Sequence, residues 1–306
     1  MKKLVSIVVP VYNEEKNLTN FYNEINNIFK KLKEYNFELI YVADPSTDNT
    51  FGVIKELNVK YKNIKYILMA NRFGKESSML AGLKKAKGDY VCIMDVDMQD
   101  PPSLLPKMIG ILENEDYDSV ATRRVDRKGE PVLRSFLSNM FYKMIRKISK
   151  LDMKSGERDF RLMNRRMVDA VLLSKEKNRF LKAIYSYTGF KTKWLEFENI
   201  ERFAGKTKWS NWQLYRYAIT CIFGFSNFPV LIISFLGILL LLISIIMIIT
   251  YAFLNKYLTT FYLILTVIMF FTGLNIFSMS ILCEYLYRIF IEVKDKPSYV
   301  IMEEDK

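Results

Sequence analysis

The sequence predicts an α/β domain on a mostly parallel, Rossmann-like sheet with helices on both faces, followed by an interfacial helix and a two-helix transmembrane hairpin. Three observations carry that expectation. Apolar, β-rich runs alternate with helical spacing from Leu4 to about Asp97. Those runs lack a polar face, as strands covered on both sides do. Near the end, positions 217–255 and 257–283 carry no charged residue.

The first run, "LVSIVVPVY" (4–12), follows a basic tip as a signal peptide's core would. Pro10 and the polar "YNEE" cut it short and no small-residue cleavage site follows, so it reads as a first buried strand. Leu18, Phe21, Tyr22, Ile25, Ile28, Phe29 and Leu32 recur at helical spacing and predict the first helix. "FELIYVAD" (37–44), "IKYILMA" (64–70) and "YVCIMDVD" (90–97) predict further strands, with a helix beginning near Gly74 that turns Met79, Leu80 and Leu83 inward. Beyond Asp118 the expected order is a short strand "DSVATR", a long basic helix near 131–150, an extended "DFRLMN" (159–164), a helix near 179–188 and a strand "KWLEFENI" (193–200).

The uncharged stretches contain "FPVLIISFLGILLLLISIIMIITYAFL" (228–254) and "FYLILTVIMFFTGLNIFSMSILC" (261–283), each above the ~20 apolar residues that cross a bilayer. They are joined by "NKYLTT", so both ends fall on one side. Lys206, Lys208 and Arg216 precede the pair and Arg288, Lys294 and Lys296 follow it, which places those ends in the cytoplasm. "WSNWQLYRYAITCIFGF" (209–225) mixes Trp and Tyr with apolar residues and suits the interface. The expected organisation is a cytoplasmic catalytic domain (1–208), an interfacial segment (209–227), a hairpin (228–287) and a cytoplasmic tail (288–306), on the inner membrane.

Among 306 residues, 45 basic against 33 acidic give a net charge of +12, which suits an anionic membrane surface or a phosphate-bearing substrate. Without an arginine-rich arm or zinc-finger spacing, nucleic acid is not expected as a partner. There is no histidine, so acid–base or metal chemistry must use carboxylates and amides. Cys92, Cys221 and Cys283 lie far apart in apolar contexts, with neither a disulfide framework nor metal spacing.

Ligands of parallel sheets sit at the carboxyl ends of the strands. Asn13, Asp44, Asp95 and Asp97 all fall at such ends, so separate runs point at one crevice. Crowded carboxylates repel unless something positive sits among them. Asp95 and Asp97 with Gln99 suit Mg²⁺ or Mn²⁺ bridging a diphosphate, because hard cations take oxygen ligands. Alone, the pattern also describes a solvated strand end.

Taken together, "SIVVPVYNEEKNL", "DPSTDNT", "NRFGKESSMLAGLKKAKGDYVCIMDVDMQDPP", "TRRVDRKGE", "DFRLMNRR" and "RFAGKTKW" resemble, in this order, the inverting family 2 glycosyltransferases of GT-A fold. The branch is the one resembling dolichol-phosphate mannose synthase and bactoprenol glucosyltransferase. The resemblance implies transfer of one sugar from a UDP- or GDP-linked donor to a polyprenyl phosphate lipid at the membrane. It sets Pro10, Tyr12, Asn13 and Glu14 against the nucleoside, lets Asp44 accept a hydrogen bond from the base, and adds Lys75 and Asp95 to the donor site. Asp95, Asp97 and Gln99 would hold the metal, and Asp97 and Asp159 would be catalytic, Asp159 as base. Arg123, Arg127, Arg134, Arg202 and Lys208 would fix the acceptor phosphate, guanidinium groups suiting bidentate contacts; Arg124 equally suits a surface drawn to anionic lipid.

Blander readings stand beside these. Asn13 can cap a helix with Glu14 favoured by its dipole, and Asp159 can be a structural ion pair with Arg158 or Arg161. One departure is Ala43-Asp44-Pro45, where the family commonly has two polar residues and a glycine; Ala43 loses a polar contact and Pro45 a backbone donor. Alternatives are a processive polysaccharide synthase, which two spans cannot supply with a polymer channel, a haloacid-dehalogenase-type phosphatase, and a degenerate membrane scaffold. Donor identity and homo-oligomeric state are left open.

Overall fold

A computed structural model describes residues 2–124, 154, 156–176, 179–197 and 260–305. By its contacts the chain divides into two units, Met1–Trp209 with Pro297–Lys306, and Ser210–Lys296. In the first unit the described elements are β1 (Lys3–Val11), α1 (Leu18–Lys31), β2 (Tyr35–Ala43), α2 (Thr50–Lys60), β3 (Ile64–Met69), α3 (Lys75–Lys85) and β4 (Tyr90–Ile93). A 3-10 turn (Pro102–Leu104) leads into α4 (Leu105–Asn114), followed by β5 (Ser119–Arg124), β6 (Glu157–Asn164), α5 (Arg165–Leu173), α6 (Leu181–Tyr187) and β7 (Thr192–Phe197). The second unit contributes α7 (Thr260–Val293), after which β8 (Ile301–Glu304) rejoins the first.

The eight strands form one sheet in the order β7-β5-β6-β4-β1-β2-β3-β8. β1, β2, β3 and β4 run parallel, and so do β5 and β7, while β6 and β8 are antiparallel to their neighbours. The sheet is therefore mixed around a parallel centre. The pleat sends Val5, Ile7, Val9 and Val11 of β1 into a core with α1, α2 and α4. Val8 instead joins Ile40, Val42 and Ile67 against α3, α5 and α6. Helices on both faces explain why these strands read as continuous apolar runs.

The chain lays down β1, β2 and β3 side by side and then crosses back to place β4 on the other edge of β1. That reversal leaves a crevice beyond the carboxyl ends of β1 and β4. β4 was expected to reach Asp97 but its ladder ends at Ile93. The reason is Pro10. Met94 N–H still donates to the Val8 carbonyl at 3.2 Å; the next β1 residue facing that side is Pro10, which has no N–H to continue. The chain is released there and carries Asp95 and Asp97 out of the sheet.

Helices α2, α4 and α5 and strand β8 were not expected. The apolar periodicity of α2 is weakly marked in sequence, and β8 is four residues of which two are glutamates. The long basic helix near 131–150, the interfacial segment 209–227 and the span 228–254 lie outside the described residues. The second expected span falls on α7, a single helix of 34 residues. Its described side chains include exposed Ile264, Ile268, Phe270, Met279 and Leu282. Among the described residues no helix is long and apolar enough to cross a membrane, so the hairpin stays an expectation.

Close packing of α3 on the sheet depends on Gly82, where an added Cβ would stand 2.2 Å from Val8 Cγ1. Gly82→Ala should lower stability by about 1–3 kcal/mol through overpacking, although alanine is the better helix former. A urea-denaturation midpoint no lower than that of the parent chain would contradict this.

Candidate active site

β4 and β6 are antiparallel with Ile93 opposite Arg161. Two residues further along the same register, Asp95 comes opposite Asp159. Residues directly opposite in an antiparallel pair share a face, and like charges so placed repel. The ladder has ended there, and the Lys75 ammonium lies between the two carboxylates. It is 2.6 Å from an Asp95 oxygen and donates a close hydrogen bond to Asp159. Lys182 of α6 adds a second ammonium 3.4 Å from the other Asp159 oxygen and donates to the Glu157 carbonyl at 2.8 Å.

These charges reset each other. Burial disfavours the Lys75 ammonium, but Asp159 and Asp95 outweigh it and raise its pKa far above the ordinary value. Burial likewise opposes ionisation of Asp159, yet Lys182 and Lys75 hold that carboxyl well below the usual carboxylate range. Asp159 is thus a poor proton acceptor. In this geometry Asp159 fixes two lysine ammoniums.

Its expected alternative partners, Arg158 and Arg161, pair elsewhere. The pleat turns Arg158 to the opposite face, where its Nε donates to Asp100 at 2.7 Å. Arg161 is buried and pairs with Glu157 at 3.0 Å, between the rings of Tyr185 and Trp194. Asp100 is fully buried, and burial pushes its carboxyl up to about 6 against the pull of Arg158. This pair ties the loop after β4 to β6.

Lys75 is delivered by a short loop from β3. Gly74 caps α3 at φ 88°, ψ 166°, a conformation open to glycine alone. The Asp44 carboxylate, almost wholly buried, accepts from the Gly74 and Phe73 amides at 3.0 and 3.3 Å. Burial raises the Asp44 pKa despite those bonds. Asp44 therefore anchors the loop. Arg72 of the same loop lies 4.1 Å over the Tyr12 ring.

After β1, Asn13 adopts φ 54° and binds the loop after β2. Its side chain donates to Thr47 Oγ1 at 3.0 Å and accepts from Thr47 N at 2.8 Å. Asn13 is thus no helix cap; Asn17 holds that position for α1. Glu14 accepts from the Asn17 amide at 2.6 Å, and its own N–H donates to Thr50 Oγ1. Pro10, half-buried in β1, is the ladder-breaking residue. Asp97, 8% exposed, accepts from the Gln99 N–H at 3.2 Å around Met98, whose φ is 61°.

Tyr12, Asp44, Lys75, Asp95 and Asp159 thus converge through direct contacts or one shared loop. Asp95, Asp97 and Gln99 offer oxygen donors only, which fits a hard cation that keeps waters and phosphate ligands. Among the described residues no three His, Cys, Asp or Glu side chains form a ready cage. Arg123 is engaged by Glu196 across β5 and β7, with Nε donating at 2.9 Å. Arg127, Arg134, Arg202 and Lys208 lie outside the described residues. Lys182 and Arg72 were missed because an isolated basic residue on a helix or loop carries no pattern. Asp100 and Arg158 were visible as charges, but their pairing depends on the register.

The profile described as Glycosyl transferase family 2 matches residues 6–172, from β1 through nearly all of α5. This chain belongs to glycosyl transferase family 2. It is a glycosyltransferase. The family relative CsbB of Bacillus subtilis (strain 168), a provisionally named glycosyltransferase, is 38% identical over 306 residues, covering 98% of this chain and 92% of the relative. The SfII prophage-derived bactoprenol glucosyl transferase of Shigella flexneri is 35% identical over 301 residues, or 97% of both chains. Glucosyl-3-phosphoglycerate synthase from Mycobacterium tuberculosis, solved with Mn²⁺, UDP and glucosyl-3-phosphoglycerate, aligns at TM-score 0.49 and 18% identity over 72% of this chain and 77% of that one. At that distance the likeness carries no argument about function.

Removing Lys75 leaves Asp95 and Asp159 facing each other. A carboxyl with a depressed folded pKa contributes stability above its unfolded value of about 3.9, and that stability is lost as pH falls through the folded value. Lys75→Met should therefore cost about 1–3 kcal/mol at pH 7, with the deficit shrinking toward pH 3 as the carboxylates protonate. Urea titrations at both pH values check this; a deficit that grows on acidification contradicts it.

Proposed function

We propose that this family 2 glycosyltransferase moves a single sugar from a UDP- or GDP-linked donor to a polyprenyl phosphate at the cytoplasmic face of the inner membrane. Transfer would need a divalent cation and invert the anomeric configuration. The observation that carries the reading is Lys75 held between Asp95 and Asp159 at the switch-point crevice. End-to-end similarity to a bactoprenol glucosyl transferase supports the lipid acceptor. The charge-free run 257–283 and its uncharged companion upstream support a membrane location.

A phosphate acceptor needs little help from a base. Its second pKa is about 6, so at neutral pH most of it is already dianionic and nucleophilic. What it needs is cationic fixation and a held donor. Lys75, kept protonated by Asp159 and Asp95, and Lys182, paired with Asp159, supply fixed positive charge where negative charge gathers. Asp44 and Gly74 set the loop that aims Lys75, and the Asp100–Arg158 pair steadies the D-x-D loop. Asp95, Asp97 and Gln99 would hold Mg²⁺ or Mn²⁺, which when bound offsets charge building on the leaving diphosphate.

The test is direct. Detergent-solubilised protein, undecaprenyl phosphate, Mn²⁺ and each labelled nucleotide sugar in turn should place label in the organic phase with one donor. Asp97→Ala should abolish that transfer while the circular dichroism spectrum is unchanged. Transfer by the variant at the parent rate would refute the metal assignment, and failure with every donor would refute the acceptor. Because Asp159 is ionised throughout, kcat should show no limb from it between about pH 5 and 8.

A further inference from the structure

The chain leaves the first unit at Trp209 and returns at Pro297, and its last ten residues add an edge strand to the catalytic sheet. β8 pairs antiparallel with β3, setting Ile67 opposite Glu304 and Leu68 opposite Glu303. An edge strand of four residues gains little from its ladder alone, and here side chains add to it. Glu303 accepts from Lys55 of α2 at 2.7 Å and from the Tyr66 hydroxyl at 2.9 Å. Asp305 accepts from the Tyr66 amide at 2.8 Å.

Further contacts fall on one segment. The Ala70 N–H donates to the Val300 carbonyl at 2.9 Å, at the point where β3 gives way to the loop bearing Arg72, Gly74 and Lys75. Lys85, the last residue of α3, reaches Glu304 at 2.7 Å and Asp305 at 3.0 Å. Lys84 lies 5.4 Å over the Tyr299 ring, which packs against the core on the α3 face. Residues 299–305 therefore grip both ends of the stretch Ala70–Lys85, and Lys75 lies within it.

We propose that the C-terminal segment 299–305 is a positioning strap that fixes the β3–α3 loop and so holds Lys75 between Asp95 and Asp159. Its residues touch neither carboxylate and act through α3 and Ala70. Such a strap fits the glycine-dependent turn at Gly74, which has no side chain of its own to brace it. The last residues of the chain thus belong to the catalytic machinery by position, although the second unit separates them from it in sequence. The strap's kinetic consequence rests on the sugar-transfer reading above; its structural consequence does not.

The test compares the intact chain, a chain ending at Lys296, and the intact-length variant Asp305→Ala, which guards against a truncation that fails to fold. Hydrogen exchange is read by mass spectrometry over residues 70–85 and over β1 and β2. The strap requires exchange across 70–85 to accelerate by about tenfold or more in the truncated chain, and measurably in Asp305→Ala, with β1 and β2 unchanged. A synthetic peptide of residues 297–306, added in excess, should restore protection. In the transfer assay kcat should fall by about tenfold while the acceptor KM stays within about twofold. Unchanged exchange at 70–85, or acceleration spread equally over β1 and β2, would overturn the strap. An intact chain that transfers no sugar would sink the functional reading instead, and the exchange comparison would still decide the strap.

Discussion

A carboxylate just past β4 faces one on β6 across an interrupted ladder, and a lysine ammonium holds them there. Without Lys75, Asp95 and Asp159 would repel at close range in a partly dehydrated crevice, where charge interactions are stronger than in water. Much else in the first unit serves this contact. Asp44 and Gly74 shape the loop that delivers the lysine, Lys182 balances the remaining charge on Asp159, and Arg158 with Asp100 fixes the neighbouring strand to the loop after β4.

The crevice itself has a covalent origin. A proline in a central strand is normally a defect, since it deletes a ladder donor. Here Pro10 deletes it at the carboxyl end of β1, on the side facing β4, so the sheet splits where strand order reverses. A residue expected to lie against a nucleoside thereby has a second physical task. It ends the pairing early enough for Asp95 to Asp97 to leave the sheet while β6 continues beneath them.

Legibility followed the range of the interaction. The strands β1 to β3 and the helix α1 were readable because their apolar periodicity is local. That Asp44 and Asp95 lie just past the ends of β2 and β4 was readable because the ends of parallel strands share one edge. Asp159 was singled out only through family resemblance, and its alternative partners were misjudged, because the pleat turns Arg158 to the other face and Glu157 engages Arg161. Strand β8 was invisible since its pairing with β3 joins residues more than two hundred positions apart and its composition reads as a solvated acidic tail.

By itself the sequence determined the α/β class, the crevice-forming strand ends, the absence of imidazole chemistry and, through ordered motifs, the glycosyltransferase family. Each of these is written in composition or short-range spacing. Only the tertiary structure decided which charge meets which: Lys75 rather than a neighbouring arginine against Asp159, and the chain's end against the α3 helix. Strand register and pleat fix those meetings, and neither is encoded in any single stretch of residues.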